Sequence, residues 1–171
     1  MTTNIILTKK EFNKLPKKKQ TGCVIHPNGD KFWFKKGLKH RANGPAVEYA
    51  NGTLFWYKEG KLHRENGPAI ECTDETKHWY KDNKLHRENG PAREWSDGTK
   101  DWYKEGILHR DNGPAREFAD GERNWLKNGI MHREDGPAIE HANGDKEYWL
   151  NDIKYSYTEW YAIINDLEKF I

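Results

Sequence analysis

The tripeptide Gly-Pro-Ala starts at Gly44, Gly67, Gly90, Gly113 and Gly136, and this constant step of 23 residues constrains the fold more than any other feature of the chain. The same step carries His40, His63, His86, His109 and His132, each followed by an arginine: Arg41, Arg64, Arg87, Arg110 and Arg133. It also carries Trp33, Trp56, Trp79, Trp102 and Trp125, with Tyr148 in the sixth place. A second glycine column runs through Gly29, Gly52, Gly98, Gly121 and Gly144, broken only by Glu75. A unit this short cannot enclose a core of its own, so its apolar surface has to be buried against neighbouring copies.

Within one unit, Ala46–Ala50 ends at Asn51-Gly52, and Thr53–Lys58 ends at Glu59-Gly60. Short aromatic-rich runs separated by Asn-Gly or Asp-Gly are a strong local hairpin signal, because both turn residues tolerate positive φ. Each unit is therefore expected to be a β-hairpin, with Leu62-His63-Arg64 leading through a tight turn into the next Gly67-Pro68. Two turn signals per unit leave runs too short for a stable helix. With two strands per unit at about 4.8 Å, six units predict an elongated, twisted antiparallel sheet roughly 58 Å long.

Strand alternation places Trp56 on one face and Phe55 and Tyr57 on the other. The Trp column is expected to be well buried, and the Tyr57 column (Phe34, Tyr80, Tyr103, Leu126, Trp149) to form a partly exposed aromatic row. If central rings touch neighbours on both sides, Trp79→Ala or Trp102→Ala should cost about 3 to 5 kcal/mol and Trp33→Ala less. Glu48, Glu71, Glu94, Glu117 and Glu140 keep step with the His-Arg pairs, which predicts an internal ladder of charged hydrogen bonds. Glu75 predicts a different and more mobile turn in its unit.

The domain plan is an N-terminal cap over 1–20, repeats over 21–155 and a C-terminal capping helix over 156–171. Ser156 and Glu159 form a capping box ahead of Trp160, Ile163, Ile164, Leu167 and Ile171 at helical spacing; Thr8 and Glu11 make a similar box before Phe12 and Leu15. Lys17-Lys18-Lys19 reads as a solvated loop. Charged residues make up 33% of the chain and hydrophobic ones only 35%, but 8 Trp, 8 Tyr and 6 Phe supply large rings in place of a thick aliphatic core. The formal charge of +2 gives no whole-chain signal for a polyanion partner. No stretch approaches a membrane span or shows a secretory cleavage pattern, so an intracellular, cytoplasmic protein is expected. Cys23 and Cys72 occupy different positions of units two apart and are expected to be free thiols.

The segments Trp102-Tyr103-Lys104-Glu105-Gly106-Ile107-Leu108-His109 and Trp125-Leu126-Lys127-Asn128-Gly129-Ile130-Met131-His132 carry a resemblance. In period, aromatic, turn and histidine they resemble MORN repeats over 21–155. The departure is constant: arginine follows the histidine where MORN units usually have glycine, and Gly-Pro-Ala comes next. The chain is in this respect more similar to the His-Arg-x-x-Gly-Pro-Ala repeats of large DNA viruses and bacteriophages. The resemblance implies a scaffold or interaction module, sometimes associated with phospholipid headgroups, and fits a viral accessory protein that engages a host component.

Catalysis requires one constellation, whereas a repeat supplies copies. No phosphate loop, His-Glu-x-x-His, Cys-x-x-Cys or nucleophile elbow is present, and histidines about 10 Å apart cannot share one zinc, so neither an enzyme, a metal site nor a cofactor is expected. The leading expectation is binding to a protein partner or a second copy of the chain. Exceptions within the columns locate it: Arg93 and Arg116 stand where Val47 does, Trp95 and Phe118 where Tyr49 does, and Tyr80 and Tyr103 belong to the aromatic row. The alternative is an anion site for a nucleotide, nucleic-acid phosphate or phospholipid headgroup built from His63, Arg64, His86, Arg87, His109 and Arg110. A structural spacer is the third reading.

Overall fold

The computed structural model describes residues 6–168. The chain divides into two compact units, Met1–Leu85 and His86–Ile171. Both consist mostly of antiparallel β-hairpins with few helical residues.

In the first unit the strand pair Gly22–Ile25 and Lys31–Lys35 is followed by Val47–Glu48 with Leu54–Phe55 and by Ile70–Glu71 with Lys77–His78, all in one sheet. Each of these hairpins turns through three residues. In the second, Tyr49 N–H donates to Thr53 O at 3.0 Å and Gly52 N–H to Tyr49 O at 2.9 Å, with Gly52 at φ +93°. This is a type I turn closed by a left-handed residue. Glu75 does not change it: Cys72 N–H donates to Thr76 O and Glu75 N–H to Cys72 O, and Glu75 adopts φ +72°. The different turn expected there is thus corrected, because the flanking ladder fixes the loop and forces a side chain into glycine's conformation. Glu75→Gly should raise stability by about 1 kcal/mol, the ordinary cost of a left-handed L-residue offset by glycine's extra chain entropy. Urea melts of the two proteins check it.

A second hairpin in each unit goes beyond the single one expected. The strand breaks at Trp56, after which Tyr57–Lys58 pairs with Lys61–Leu62 across Glu59-Gly60. Glu59 and Gly60 have φ of +52° and +82°, the paired positive values of a type I′ turn, and Asp82-Asn83, Glu105-Gly106 and Asn128-Gly129 repeat it. The backbone at the break stays paired. Trp56 N–H donates to Ala69 O at 2.8 Å and its C=O accepts from His63 N–H at 3.1 Å.

The residues that close the core are the alanines. Ala46, Ala69, Ala92, Ala115 and Ala138 are each 0% exposed. Ala46 N–H donates to Phe55 O of its own hairpin, while its carbonyl accepts from Trp33 of the hairpin before, both at 2.8 Å. Ala138 does the same with Glu147 and Trp125. Of the tryptophans in the column, Trp33 is buried at 8% exposure, whereas Trp56, Trp79, Trp102 and Trp125 are half-buried. This corrects the expectation of a uniformly buried column. In the longer first strand pair a residue, Cys23, lies directly opposite the tryptophan.

The first unit is closed by Ile6–Leu7, paired in parallel with Cys23–Val24, and by helix α1 (Lys9–Lys14), whose Thr8–Glu11 capping box is formed. Phe12 is buried against Phe34, ring centroids 4.6 Å apart. Lys17–Lys19 make one exposed 3₁₀ turn. Cys23 and Cys72 are free thiols.

In the second unit Arg93–Glu94 pairs with Lys100–Asp101, Arg116–Glu117 with Arg123–Asn124, and Ile139–Glu140 with Lys146–Leu150. Helix α2 (Tyr157–Glu168) follows, with Ser156 and Glu159 bonded reciprocally at its start. Trp160 is buried, packs on Tyr148 at 4.9 Å and donates from Nε1 to Arg133 O at 3.2 Å. The ring of α2 thus covers Tyr148, which holds the tryptophan place in a unit with no successor. The part of the expected helix beyond Glu168, including Ile171, lies outside the described residues.

Candidate binding face

The His-Arg columns are built into the fold. Arg110 donates from Nη1 to Glu117 at 2.8 Å and to Pro114 O at 3.2 Å, and its guanidinium lies 3.9 Å from the Trp102 ring centroid. On the other side is Gly113, at φ +126°, where a Cβ would come within 3.1 Å of Arg110 Cζ. The arginine is clamped between ring and glycine, which explains the glycine of Gly-Pro-Ala. Arg64 repeats this with Glu71, Pro68, Trp56 and Gly67, and Arg87 makes the same bonds to Glu94 and Pro91. The expected ladder of charged hydrogen bonds is present.

The histidines hold successive hairpins together. His63 Nδ1 accepts the backbone N–H of Asp82, His86 Nδ1 that of Glu105 and His109 Nδ1 that of Asn128, at 3.0 to 3.3 Å. Each accepted amide belongs to the first residue of a type I′ turn. Because Nδ1 accepts, the proton of the neutral ring sits on Nε2, which faces Glu65, Glu88 and Asp111 respectively. Clefts run between these columns. One of about 580 Å³ is lined by His109, Arg110, Trp125, Lys127, His132 and Arg133, and both its arginines are ion-paired.

The opposite face differs between the units. Cross-strand register in the first unit aligns Phe32, Val47, Phe55 and Ile70 in an apolar row ending at His78. In the second unit the equivalent row is Arg93, Asp101, Arg116, Asn124, Ile139 and Glu147. Asp101 is 1% exposed and accepts from Arg116 Nε at 2.5 Å and from Trp95 Nε1 at 3.2 Å. This bonding to Asp101 pushes the Arg116 guanidinium still further from deprotonation. Arg116 also lies 5.4 Å from the Phe118 ring, and Arg93 lies 5.5 Å from Trp95 and 5.4 Å from Tyr103. The four residues singled out by column exceptions, with Tyr103 of the aromatic row, therefore meet around one buried carboxylate. Tyr80 belongs to the first unit, where its ring is 6.5 Å from that of His78.

No protein-family model matches the chain, and neither does any curated protein. The geometry of the second unit is what remains to identify a site. Sequence reading missed Asp101, the centre of the cluster. Its signal was the coincidence of an acid in the Phe55 column with arginines in the Val47 column of the same and the next unit. It also missed His141, whose Nδ1 and Nε2 reach Glu122 at 2.9 Å and Glu147 at 3.3 Å. Among the described residues no group of His, Cys, Asp and Glu could hold a metal ion, and no helix is long and apolar enough to cross a membrane.

Hydrogen bonding to Glu122, then to Glu147, raises the His141 pKa above its ordinary 6.5. A raised folded value means that this contribution to stability is full below the unfolded pKa and is lost as pH rises through the folded one. Glu147 is shifted the other way, chiefly by Lys154, so its contribution is lost as pH falls below about 4.5. The stability difference between wild type and His141→Gln should thus be largest near pH 5 to 6 and should shrink toward pH 8, as measured by denaturant melts across that range.

Proposed function

We propose that the chain is a non-catalytic, MORN-like repeat scaffold of successive hairpins that binds a protein partner through the face of the second unit carrying Arg93, Trp95, Tyr103, Arg116 and Phe118. The observation that carries this reading is the replacement, on one face, of an apolar row by a charged one bordered by rings. Trp95 is 39% exposed beside Arg93 and bonded to the Asp101 that Arg116 also engages, and tryptophan and arginine are residue types enriched at protein interfaces. The resemblance to repeats that act as interaction modules supports the same class, and a viral or phage accessory role inside a host cell fits it.

Anion binding by His63, Arg64, His86, Arg87, His109 and Arg110 draws less support, since each arginine already meets a glutamate and a carbonyl and each histidine a backbone amide. The test is native-mass measurement and pull-down from cell extract with wild type and Arg93→Glu. Arg93 makes no ion pair among the described residues, so its replacement breaks no ion pair and removes only its contacts with the Trp95 and Tyr103 rings. A discrete partner lost in Arg93→Glu, with an unchanged melting curve, supports the proposal. A monomer that captures nothing supports the spacer reading.

A further inference from the structure

Every other arginine among the described residues has a carboxylate within 4 Å. Arg41, Arg64, Arg87, Arg110 and Arg133 pair with the glutamate column, Arg116 with Asp101, and Arg123 with Glu140. Arg93 has none, although Asp101 is its cross-strand neighbour. Asp101 is already engaged by Arg116 and Trp95. Moreover, the Nε of Arg93 is buried and has no hydrogen-bond partner. A buried donor on a charged group is costly to leave unsatisfied, and such a group calls for an explanation. Its guanidinium lies 5.5 Å from the Trp95 ring and 5.4 Å from the Tyr103 ring, and the residue remains partly exposed.

We propose that Arg93 is the anchor for a carboxylate side chain on an acidic segment of the partner protein, received beside the Trp95 and Tyr103 rings. The inference rests on the protein-binding reading above and names the chemistry its partner brings. A guanidinium donates two parallel N–H···O bonds to a carboxylate, and neighbouring rings exclude water and strengthen them. Charge favours this occupant, since Arg93 and Arg116 together outweigh Asp101 by one positive charge. The Asp101–Arg116 pair keeps the one internal carboxylate from capturing Arg93.

The test follows the Nε–Hε resonances of arginine in the whole ¹⁵N-labelled protein. The probes are an acetylated, amidated hexapeptide of alternating glutamate and aspartate, its glutamine/asparagine counterpart, and inorganic phosphate. The acidic peptide should shift Arg93 selectively and leave Arg116 in place. It should bind at least ten times more tightly than the amide counterpart, and Arg93→Gln should abolish the response. A panel selected from a displayed random dodecapeptide library is run in parallel on wild type, Arg93→Gln and Trp95→Ala. Peptides that bind without acidic residues, or that survive Arg93→Gln but not Trp95→Ala, would overturn the carboxylate anchor while leaving the protein-binding face standing. Tighter binding of phosphate than of the acidic peptide would overturn it in favour of a phosphate. If no peptide binds wild type even at millimolar concentration, the anchor and the binding face both fall.

Discussion

Arg110→Ala is expected to destabilise the second unit by about 2 to 4 kcal/mol, the sum of a charge-assisted hydrogen bond and a stacked cation–ring contact. The substitution removes the bonds to Glu117 and Pro114 O, leaves the half-buried Glu117 carboxylate alone and uncovers one face of Trp102. Arg110→Lys should recover less than half of this loss, because an ammonium has no plane to lie between Trp102 and Gly113. Gly113→Ala should be costly for two separable reasons: its φ of +126° is unfavourable for any side chain, and its new Cβ meets Arg110. In a double-mutant cycle the steric part should vanish when Arg110 is already alanine, leaving only the backbone strain. Additive losses in urea melts of the three variants would show that ring, guanidinium and glycine do not act as one clamp.

Trp33→Ala is expected to cost about 3 to 5 kcal/mol, and more than Trp102→Ala. Each ring carries an arginine stacked at 3.9 Å, but Trp33 is buried opposite Cys23 whereas Trp102 is half-buried at the break between two strands. The order is the reverse of what position in the array suggests, since a terminal repeat ordinarily has fewer neighbours. Chemical denaturation followed by far-ultraviolet circular dichroism measures both. A larger loss at Trp102 would mean that contacts with neighbouring units outweigh local burial.

The turn of the first hairpin in each repeat was legible in the sequence because Asn-Gly and Asp-Gly pairs advertise positive φ, and the capping boxes at Thr8 and Ser156 were legible because their chemistry is local. The pairing of Arg64 with Glu71 followed from two columns moving in step. The second hairpin escaped because alternation through Phe55-Trp56-Tyr57 looks like one unbroken strand, and only the bonds of Trp56 to Ala69 and His63 reveal where it bends. The alanines escaped for another reason. A methyl group carries little hydrophobic signal, and its complete burial reflects how closely two backbones approach. Four of the candidate site residues, Arg93, Trp95, Arg116 and Phe118, could be chosen by their departures from the repeat, but Asp101 became visible only with register, since its partners Trp95 and Arg116 come from different repeats.

The histidine contacts also give the array a direction. Each histidine of the His-Arg column offers its Nδ1 to a turn amide 19 residues later in the chain, as His109 does to Asn128 and His132 to Asn151. A hairpin that forms in order of synthesis meets an acceptor already in place, and the last one made leaves only an imidazole nitrogen for water to reach. Building from the opposite end would instead leave an open turn with a bare N–H awaiting its cap. The repeat is thus suited to growth by addition at its C-terminal side, one closed turn at a time.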